Sequence, residues 1–175
     1  MPEGNTVWLT ARALRQALAG GAVTGAELRT PALATVALRG RRILDVKPRG
    51  QHLLVKREPD LTLHSHLRMD GAWRVYPAGR ISPYVGHRRD DVRAVLRTSS
   101  ATAVGYRLHD IALVPTTAES TLVGHLGPDL LGADWDATEA LRRLRAAPQR
   151  PVGLALLDQR NLAGAGNVYK CESCF

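Results

Sequence analysis

The stretch Leu156–Lys170, LLDQRNLAGAGNVYK, decides how this chain is interpreted. Gly164 and Gly166 permit positive φ angles in a turn, and a new helix begins near Asn167. The first backbone N–H groups of a helix have no intrahelical partners, so they can bind a phosphate, to which Asn167 adds a side-chain donor. A dinucleotide-binding loop is excluded, because no strand precedes the glycines and Tyr169 replaces the third one. Taken alone, the stretch is also compatible with plain helix packing.

The sequence on either side of this stretch is helical in pattern as well. The segment Trp135–Ala146 has helical spacing, and Val152–Asp158 follows Pro151, a favourable residue for a first helical turn. The last helix begins near Asn167, and the chain ends at Phe175 about two turns later. An apolar helix that stops so early predicts that the chain is cut short before its domain is complete. The basic face of the first of these helices consists of Arg142, Arg143 and Arg145.

The N-terminal half has the pattern of one helix followed by many strands. Asn5 or Thr6 can cap a helix with apolar residues at helical spacing, which ends at Gly20. Short alternating or apolar runs then continue to about Pro115, as in a β-sandwich or barrel, with a long loop over Pro77–Asp91. The predicted strands are Val23–Arg29, Thr35–Leu38, Ile43–Pro48, His52–Lys56, Thr62–Arg68, Ala72–Tyr76, Val92–Thr98 and Ala103–Leu108.

The change of pattern near Thr116–Thr121 predicts an α+β fold with two domains, over 1–116 and 117–175. Apolar residues make up 45% of the chain, which excludes general disorder. No stretch approaches the ~18 apolar residues of a membrane span, and the N-terminus has no signal-peptide core. We therefore expect a cytoplasmic protein that does not bind membranes, in which Cys171 and Cys174 are reduced thiols.

The net charge is strongly positive and comes mostly from arginine. The formal charge is +8 and the pI is about 10.3. A surface of this kind attracts polyanions, and nucleic acid is the commonest polyanion available to a soluble protein. A basic protein without a nucleic-acid partner is the alternative that charge alone leaves open.

The second residue of the chain, Pro2, offers an unusual nucleophile. Removal of Met1 would leave a secondary amine, which can attack an aldehyde-like sugar carbon and form an iminium that accepts electrons. The neighbouring carboxyl group of Glu3 could protonate the sugar ring oxygen. Since many proteins begin Met-Pro-Glu by chance, this motif needs support from the rest of the sequence.

That support comes from four motifs in a fixed order. MPEG at Met1–Gly4, PRGQHLL at Pro48–Leu54, LHSHLRMDG at Leu63–Gly71 and LLDQRNLAGAGNVYK at Leu156–Lys170 resemble the formamidopyrimidine-DNA glycosylase/endonuclease VIII family, endonuclease VIII-like branch. The resemblance implies an N-terminal β-sandwich with two flanking helices, followed by a helix–two-turn–helix domain that is only partial here. Family members end in a zinc finger that this chain lacks, so the resemblance implies no cofactor within the chain.

The resemblance also implies roles for individual residues. It makes Pro2 the Schiff-base nucleophile and Glu3 the proton donor, and it makes Asn167 a phosphate ligand in the turn that contains Gly166 and Tyr169. Met69 falls where the family places a side chain that fills the gap left by an extruded base, although core packing is an equal alternative. His66 resembles a structural or phosphate-contacting histidine. His64 and His66 are expected to share a strand face with Arg68, and without nearby carboxylates we predict no metal site there.

Three features depart from the family: Gln51, the pair Asn5 and Thr6 where family members commonly carry Pro-Glu, and a finger arginine that is missing. Gln51 occupies the position of a family lysine that is associated with phosphate contact and catalysis, and glutamine supplies no charge. Cys171 and Cys174 have CxxC spacing, but a lone pair lacks the second pair that tetrahedral zinc coordination needs. A finger arginine that contacts DNA opposite the lesion is absent with the finger itself.

The resemblance implies a bifunctional DNA glycosylase and AP lyase of base excision repair. It implies a monomer that acts on double-stranded DNA containing an oxidised base, by the branch a pyrimidine, or an abasic site. Arg80, Arg88 and Arg89 of the long loop are expected to hold DNA phosphates, with binding that weakens steeply with salt. The alternatives are a catalytically impaired DNA-binding remnant and a fragment that does not fold stably.

Overall fold

The computed structural model describes residues 2–79 and 89–175. The first helix, α1, spans Gly4–Leu18 and buries one stripe of side chains, Val7, Ala11, Leu14 and Leu18, each at most 1% exposed. This stripe confirms the predicted helical spacing. The prediction that Asn5 or Thr6 caps the helix is wrong: Glu3 holds the N-cap position, and its side chain makes no hydrogen bond to α1.

Within the described residues, eight strands form two antiparallel sheets of four strands each. The first sheet has the order β1-β6-β7-β5 and the second has the order β2-β3-β4-β8. The sheets enclose a core to which α1 also contributes, and the buried Trp73 joins them by donating from Nε1 to Ser65 Oγ over 3.1 Å. The strands are β1 (Gly25–Leu28), β2 (Ile43–Arg49), β3 (His52–Arg57), β4 (Leu61–His66), β5 (Ala72–Pro77), β6 (Val92–Arg97), β7 (Ala101–Tyr106) and β8 (Asp110–Pro115).

One strand prediction is wrong, and one strand was not predicted. Thr35–Leu38 is an irregular segment that follows the 3-10 turn Pro31–Leu33, and Leu38 reaches the core from a loop. The sequence pattern also missed β8, which pairs with β4 at the edge of its sheet. The residues of β8 do not alternate between apolar and polar, which is the pattern that marks a strand. Nearly all of them are half-buried, so neither face of the strand is clearly the buried one. The remaining strands confirm the predicted β-sandwich and α+β class.

Short helices follow the last strand. They are α2 (Ser120–Val123), α3 (Ala137–Arg145), α4 (Val152–Leu157) and α5 (Asn167–Cys174). The change from strands to helices occurs after Pro115, close to the predicted boundary, while the division into domains 1–116 and 117–175 stays a prediction. In the part of the chain that the structure describes, no helix has the length and apolar character needed to cross a membrane.

Candidate functional site

The carboxylate of Glu3 lies at the N-terminus of α5. Oε1 accepts from the Val168 N–H over 2.6 Å, and Oε2 accepts from the Tyr169 N–H over 3.3 Å. The side chain is buried, with 4% of Glu3 exposed. A negative charge at this place is stabilised by the amide donors and by the helix dipole. The first residues of the chain are thereby fixed to its last helix.

This contact corrects the prediction that the start of α5 is a free phosphate site. The Val168 and Tyr169 amides, which would have faced a phosphate, are used by Glu3. Asn167 is the first residue of α5 and is exposed, so its side chain faces solvent. A phosphate could therefore reach Asn167, but the two following amides are occupied.

Gly164 and Gly166 of the turn are required for different physical causes. Gly164 has φ of +96°, as predicted. Gly166 is extended, with φ of −124°, which contradicts the predicted positive angle. Space explains Gly166 instead, because a Cβ there would lie 2.5 Å from Cγ and Cδ of Glu3. The absence of a side chain at Gly166 allows the carboxylate to reach the helix.

Three of the predicted motifs meet at Gly164. The Gly4 N–H donates to Gly164 O over 2.9 Å, and a Cβ at Gly4 would lie 2.9 Å from the Cα of Gly164. Gly50 approaches from the β2–β3 hairpin, where a Cβ would lie 3.2 Å from that of Ala163. Backbone packing this close leaves no room for side chains. The close approach of Gly4, Gly50 and Gly164 explains why the motifs MPEG, PRGQ and AGAGN occur in the same chain.

Two polar side chains that sequence reasoning missed hold this junction together. Asp129, 3% exposed, accepts from the Gly50 N–H over 2.6 Å and from the Leu131 N–H over 3.0 Å. Gln159 accepts from the Gly164 N–H over 2.9 Å and donates to Ala165 O over 2.8 Å. Gln159 lies within the quoted motif, and Asp129 follows Gly-Pro, so a turn signal was present without indicating a role.

A small cavity adjoins the N-terminal residues. Its volume is about 160 Å³, and it is bounded largely by apolar surface. Pro2 is half-buried and is two positions from Gly4, which lines this cavity. Tyr169 is 46% exposed and offers an aromatic face. The cavity is lined by Gly4, Asn5, Leu130, Leu131, Gly164 and Tyr169.

Gln51 lies in the same hairpin as Gly50 and is 8% exposed. The next residue, His52, begins a histidine cluster on the outer face of the second sheet. His52 and His64 share a hydrogen bond of 2.8 Å between Nδ1 and Nε2, and the ring of His66 lies 4.6 Å from that of His52. His125, which follows α2, contributes a ring 6.3 Å from His52. The hairpin motif contained His52, but its neighbours could not be read from the sequence.

Burial favours the uncharged forms of His52, His64 and His66. Desolvation, with repulsion from His66 and His64, lowers the pKa of His52 to about 3. Desolvation likewise lowers the pKa of His64 and of His66, which the Asp110 carboxylate partly offsets. Among the described residues, no group of three or more His, Cys, Asp or Glu is arranged to hold a metal ion.

The turn after β4 carries the remaining predicted DNA contacts. Met69 is 69% exposed, which excludes core packing. Arg68 does not share the strand face of His64 and His66, because β4 ends at His66 and Arg68 adopts φ of +50°. Arg68 Nε donates to Asp110 Oδ2 over 2.6 Å, and its N–H donates to Nδ1 of His66 over 3.0 Å.

The predicted basic surfaces are only partly available. Arg142 and Arg143 of α3 both bind Glu139, and this lowers the pKa of Glu139 to about 2. Arg145 is exposed. Arg80 and Arg88 lie outside the described residues, as does Met1, and only the backbone of Arg89 is described. Cys171 and Cys174 are free thiols on the exposed surface of α5.

Comparisons with known proteins agree with this arrangement. Residues 1–111 match the model of the formamidopyrimidine-DNA glycosylase N-terminal domain. The chain is 56% identical over 175 residues to the "Probable endonuclease 8 2" of Streptomyces coelicolor, covering 100% of this chain and 63% of that protein. It is 45% identical over 175 residues to the DNA-(apurinic or apyrimidinic site) lyase Nei2 of Mycolicibacterium smegmatis, covering 100% of this chain and 66% of that protein.

Solved structures show the same fold. The Lactococcus lactis Fpg, in a complex with DNA that contains N7-benzyl-Fapy-dG, superposes with a TM-score of 0.76 at 22% identity. The match covers 96% of this chain and 64% of that one. This chain thus spans somewhat less than two thirds of the length of these similar proteins.

Proposed function

Because the chain belongs to the formamidopyrimidine-DNA glycosylase family, we propose that it acts in base excision repair as a DNA glycosylase and AP lyase, with the Pro2 amine as nucleophile. One observation carries this proposal: the Glu3 carboxylate is bound by the Val168 and Tyr169 amides. Pro2, which is half-buried, is thereby held two positions from Gly4, a residue that lines an apolar cavity. A reactive amine next to a small cavity is the arrangement that attack on an extruded nucleotide requires.

The chemistry follows from the secondary amine. The Pro2 nitrogen forms a bond to C1′ of the nucleotide, while the glycosidic bond breaks and its electron pair leaves with the base, which takes up a proton. Ring opening then gives an iminium between the nitrogen and C1′, and O4′ gains a proton. Loss of a proton from C2′ expels the 3′ oxygen with its phosphate, which cuts the strand. The Glu3 carboxylate, which we assign as the acid, accepts the proton that the Pro2 nitrogen loses on bonding to C1′ and passes it to O4′.

The surrounding residues support DNA as the partner. Met69 is exposed on the turn after β4, where a flexible apolar side chain can enter the base stack. Asn167 is exposed at the start of α5, and Arg68 lies at the surface beside His66. We propose that these groups contact a duplex that contains a damaged base, with oxidised pyrimidines as substrates. We also propose a monomeric, cytoplasmic protein and a zinc finger in the additional length of its relatives.

Borohydride trapping tests the proposed function. Purified chain is mixed with a duplex that contains one abasic site, and borohydride reduces any iminium to a stable amine. We expect a covalent protein–DNA adduct for the wild type, and at least a tenfold smaller yield for Pro2→Gly, because its primary amine lacks the ring that orients the nitrogen. Intact-mass measurement first establishes that Met1 has been removed, since a retained Met1 places the Pro2 nitrogen in an amide.

A DNA-binding remnant is the second candidate, and Gln51 favours it because a neutral side chain replaces a family lysine. This alternative predicts that the wild type binds the duplex in a salt-dependent way but gives no adduct. Binding without trapping, by protein that has lost Met1, would replace the enzyme proposal by this one. Neither binding nor trapping would reject both.

A further inference from the structure

Arg57 is a buried cation that has no ion-pair partner among the residues that the structure describes. The residue lies at the end of β3 with 6% of its surface exposed. Within residues 2–79 and 89–175, neither Nε nor Nη1 of Arg57 has a hydrogen-bond partner. Its register partners, Ile43 and Leu61, are apolar. A guanidinium keeps its proton in proteins, so the charge persists and its burial without a partner costs free energy.

The charged group shown to act on Arg57 is another cation, Arg41. Burial and then the Arg41 guanidinium lower the pKa of Arg57. Arg41 belongs to an exposed loop that also contains Arg39 and Arg42. The adjacent carboxylate of Glu58 is directed elsewhere, since its Oε2 accepts from the Arg42 N–H over 3.2 Å. Arg57 and Arg41 thus repel each other, and no carboxylate among the described residues pairs with Arg57.

We propose that Arg57, together with Arg41, binds a phosphate group at a site separate from the candidate functional site. A phosphate can accept hydrogen bonds from both buried donors and carries enough negative charge for two cations, and guanidinium groups match its geometry. Strand β3 runs from His52, in the histidine cluster, to Arg57, a distance of roughly 17 Å. A free phosphate or nucleotide phosphate and a DNA backbone phosphate share this chemistry.

Thermal unfolding in phosphate and in chloride, at equal pH and ionic strength, tests the site. We expect inorganic phosphate at about ten times its dissociation constant to raise the wild-type Tm by about 3 °C more than it raises that of Arg57→Met. Removing the buried charge should also leave the Tm of Arg57→Met in chloride equal to or above the wild-type value. Arg74→Met, which changes an exposed strand arginine, should keep the full phosphate shift.

If Arg57→Met does not fold, Arg41→Met replaces it, since an exposed loop residue can be changed without disturbing the core. We expect Arg41→Met to lose about half of the phosphate-dependent shift, because one of the two cations remains. An equal phosphate shift in the wild type and in the folded variants would overturn the proposal, because it would show only the general stabilising effect of phosphate on folded proteins.

Duplex binding over a salt series identifies the source of the phosphate. If the site holds a DNA phosphate, the slope of log K against log salt for Arg57→Met should be smaller by about 0.9. If the site holds a free or nucleotide phosphate, that slope should stay the same while the Tm shift is lost. Binding of inorganic phosphate does not depend on the amine chemistry, so failure of this site and failure of the proposed function are separate results.

Discussion

At the scale of single residues, the molecule depends on positions where no side chain fits. Gly166 is the clearest case, because a Cβ there would lie 2.5 Å from Cγ and Cδ of Glu3. Gly166→Ala should push the carboxylate away from the Val168 amide, which it now meets at 2.6 Å. We expect a loss of about 1–3 kcal/mol in the free energy of unfolding. We also expect slower borohydride trapping, since Pro2 is displaced with Glu3.

Gly153→Ala is a matched control for this substitution. Gly153 lies in α4, and its Cβ would contact the flexible end of Lys170 at 3.2 Å. Alanine favours a helix, so this variant should be as stable as the wild type or slightly more stable. Chemical denaturation and trapping rates measure both effects. Equal stability and equal trapping for Gly166→Ala and the wild type would contradict the assigned role of Gly166.

At the scale of elements, the outer face of β3 and β4 carries three histidines with lowered pKa values, His52, His64 and His66, which make stability depend on pH. The pKa of His52 is about 3 in the folded chain, whereas in the unfolded chain it returns to its ordinary 6.5. Between these values the unfolded state binds more protons, so the free energy of unfolding falls as pH falls from about 6.5. The decrease due to His52 is at most about 1.4 kcal/mol per pH unit.

Urea denaturation between pH 7 and pH 5 (approximate limits) measures this decrease above the range in which carboxyl groups titrate. His52→Phe keeps an aromatic ring without a titrating group and should flatten the pH profile. His109→Gln changes an exposed histidine outside the cluster, paired with Asp70, and should leave the contribution of His52 to the profile in place. A wild-type stability that stays constant over this range would show that the cluster is not kept neutral by the fold.

At the scale of the whole molecule, periodic and locally encoded features could be predicted, and contacts between distant segments could not. The spacing of Val7, Ala11, Leu14 and Leu18 gave the buried stripe of α1, and alternation gave most strands. The edge strand β8 was not predicted, because its half-buried residues do not alternate between apolar and polar. The site shows the same division: the sequence indicated Pro2 and Glu3, but not that α5 binds Glu3.

The hydrogen bond from the Val168 N–H to Glu3 joins residues 165 positions apart, and no local sequence pattern indicates it. Asp129 was missed for the same reason, since its role depends on the Gly50 amide, 79 positions away. Gly166 was correctly identified as a required glycine, but the predicted cause was wrong. Its type was noticed in the sequence, but the cause is a carboxylate from the opposite end of the chain rather than a positive φ angle.

The central claim is that the N-terminal amine reacts with the sugar, and mapping the trapped adduct tests it most directly. Besides the N-terminus, the chain has amines only at Lys47, Lys56 and Lys170. After borohydride reduction, proteolysis and nuclease digestion, mass spectrometry locates the residual sugar. We predict that it lies on Pro2, on a chain that has lost Met1. A sugar found on any of the three lysines, with an unmodified Pro2 peptide, would contradict the account.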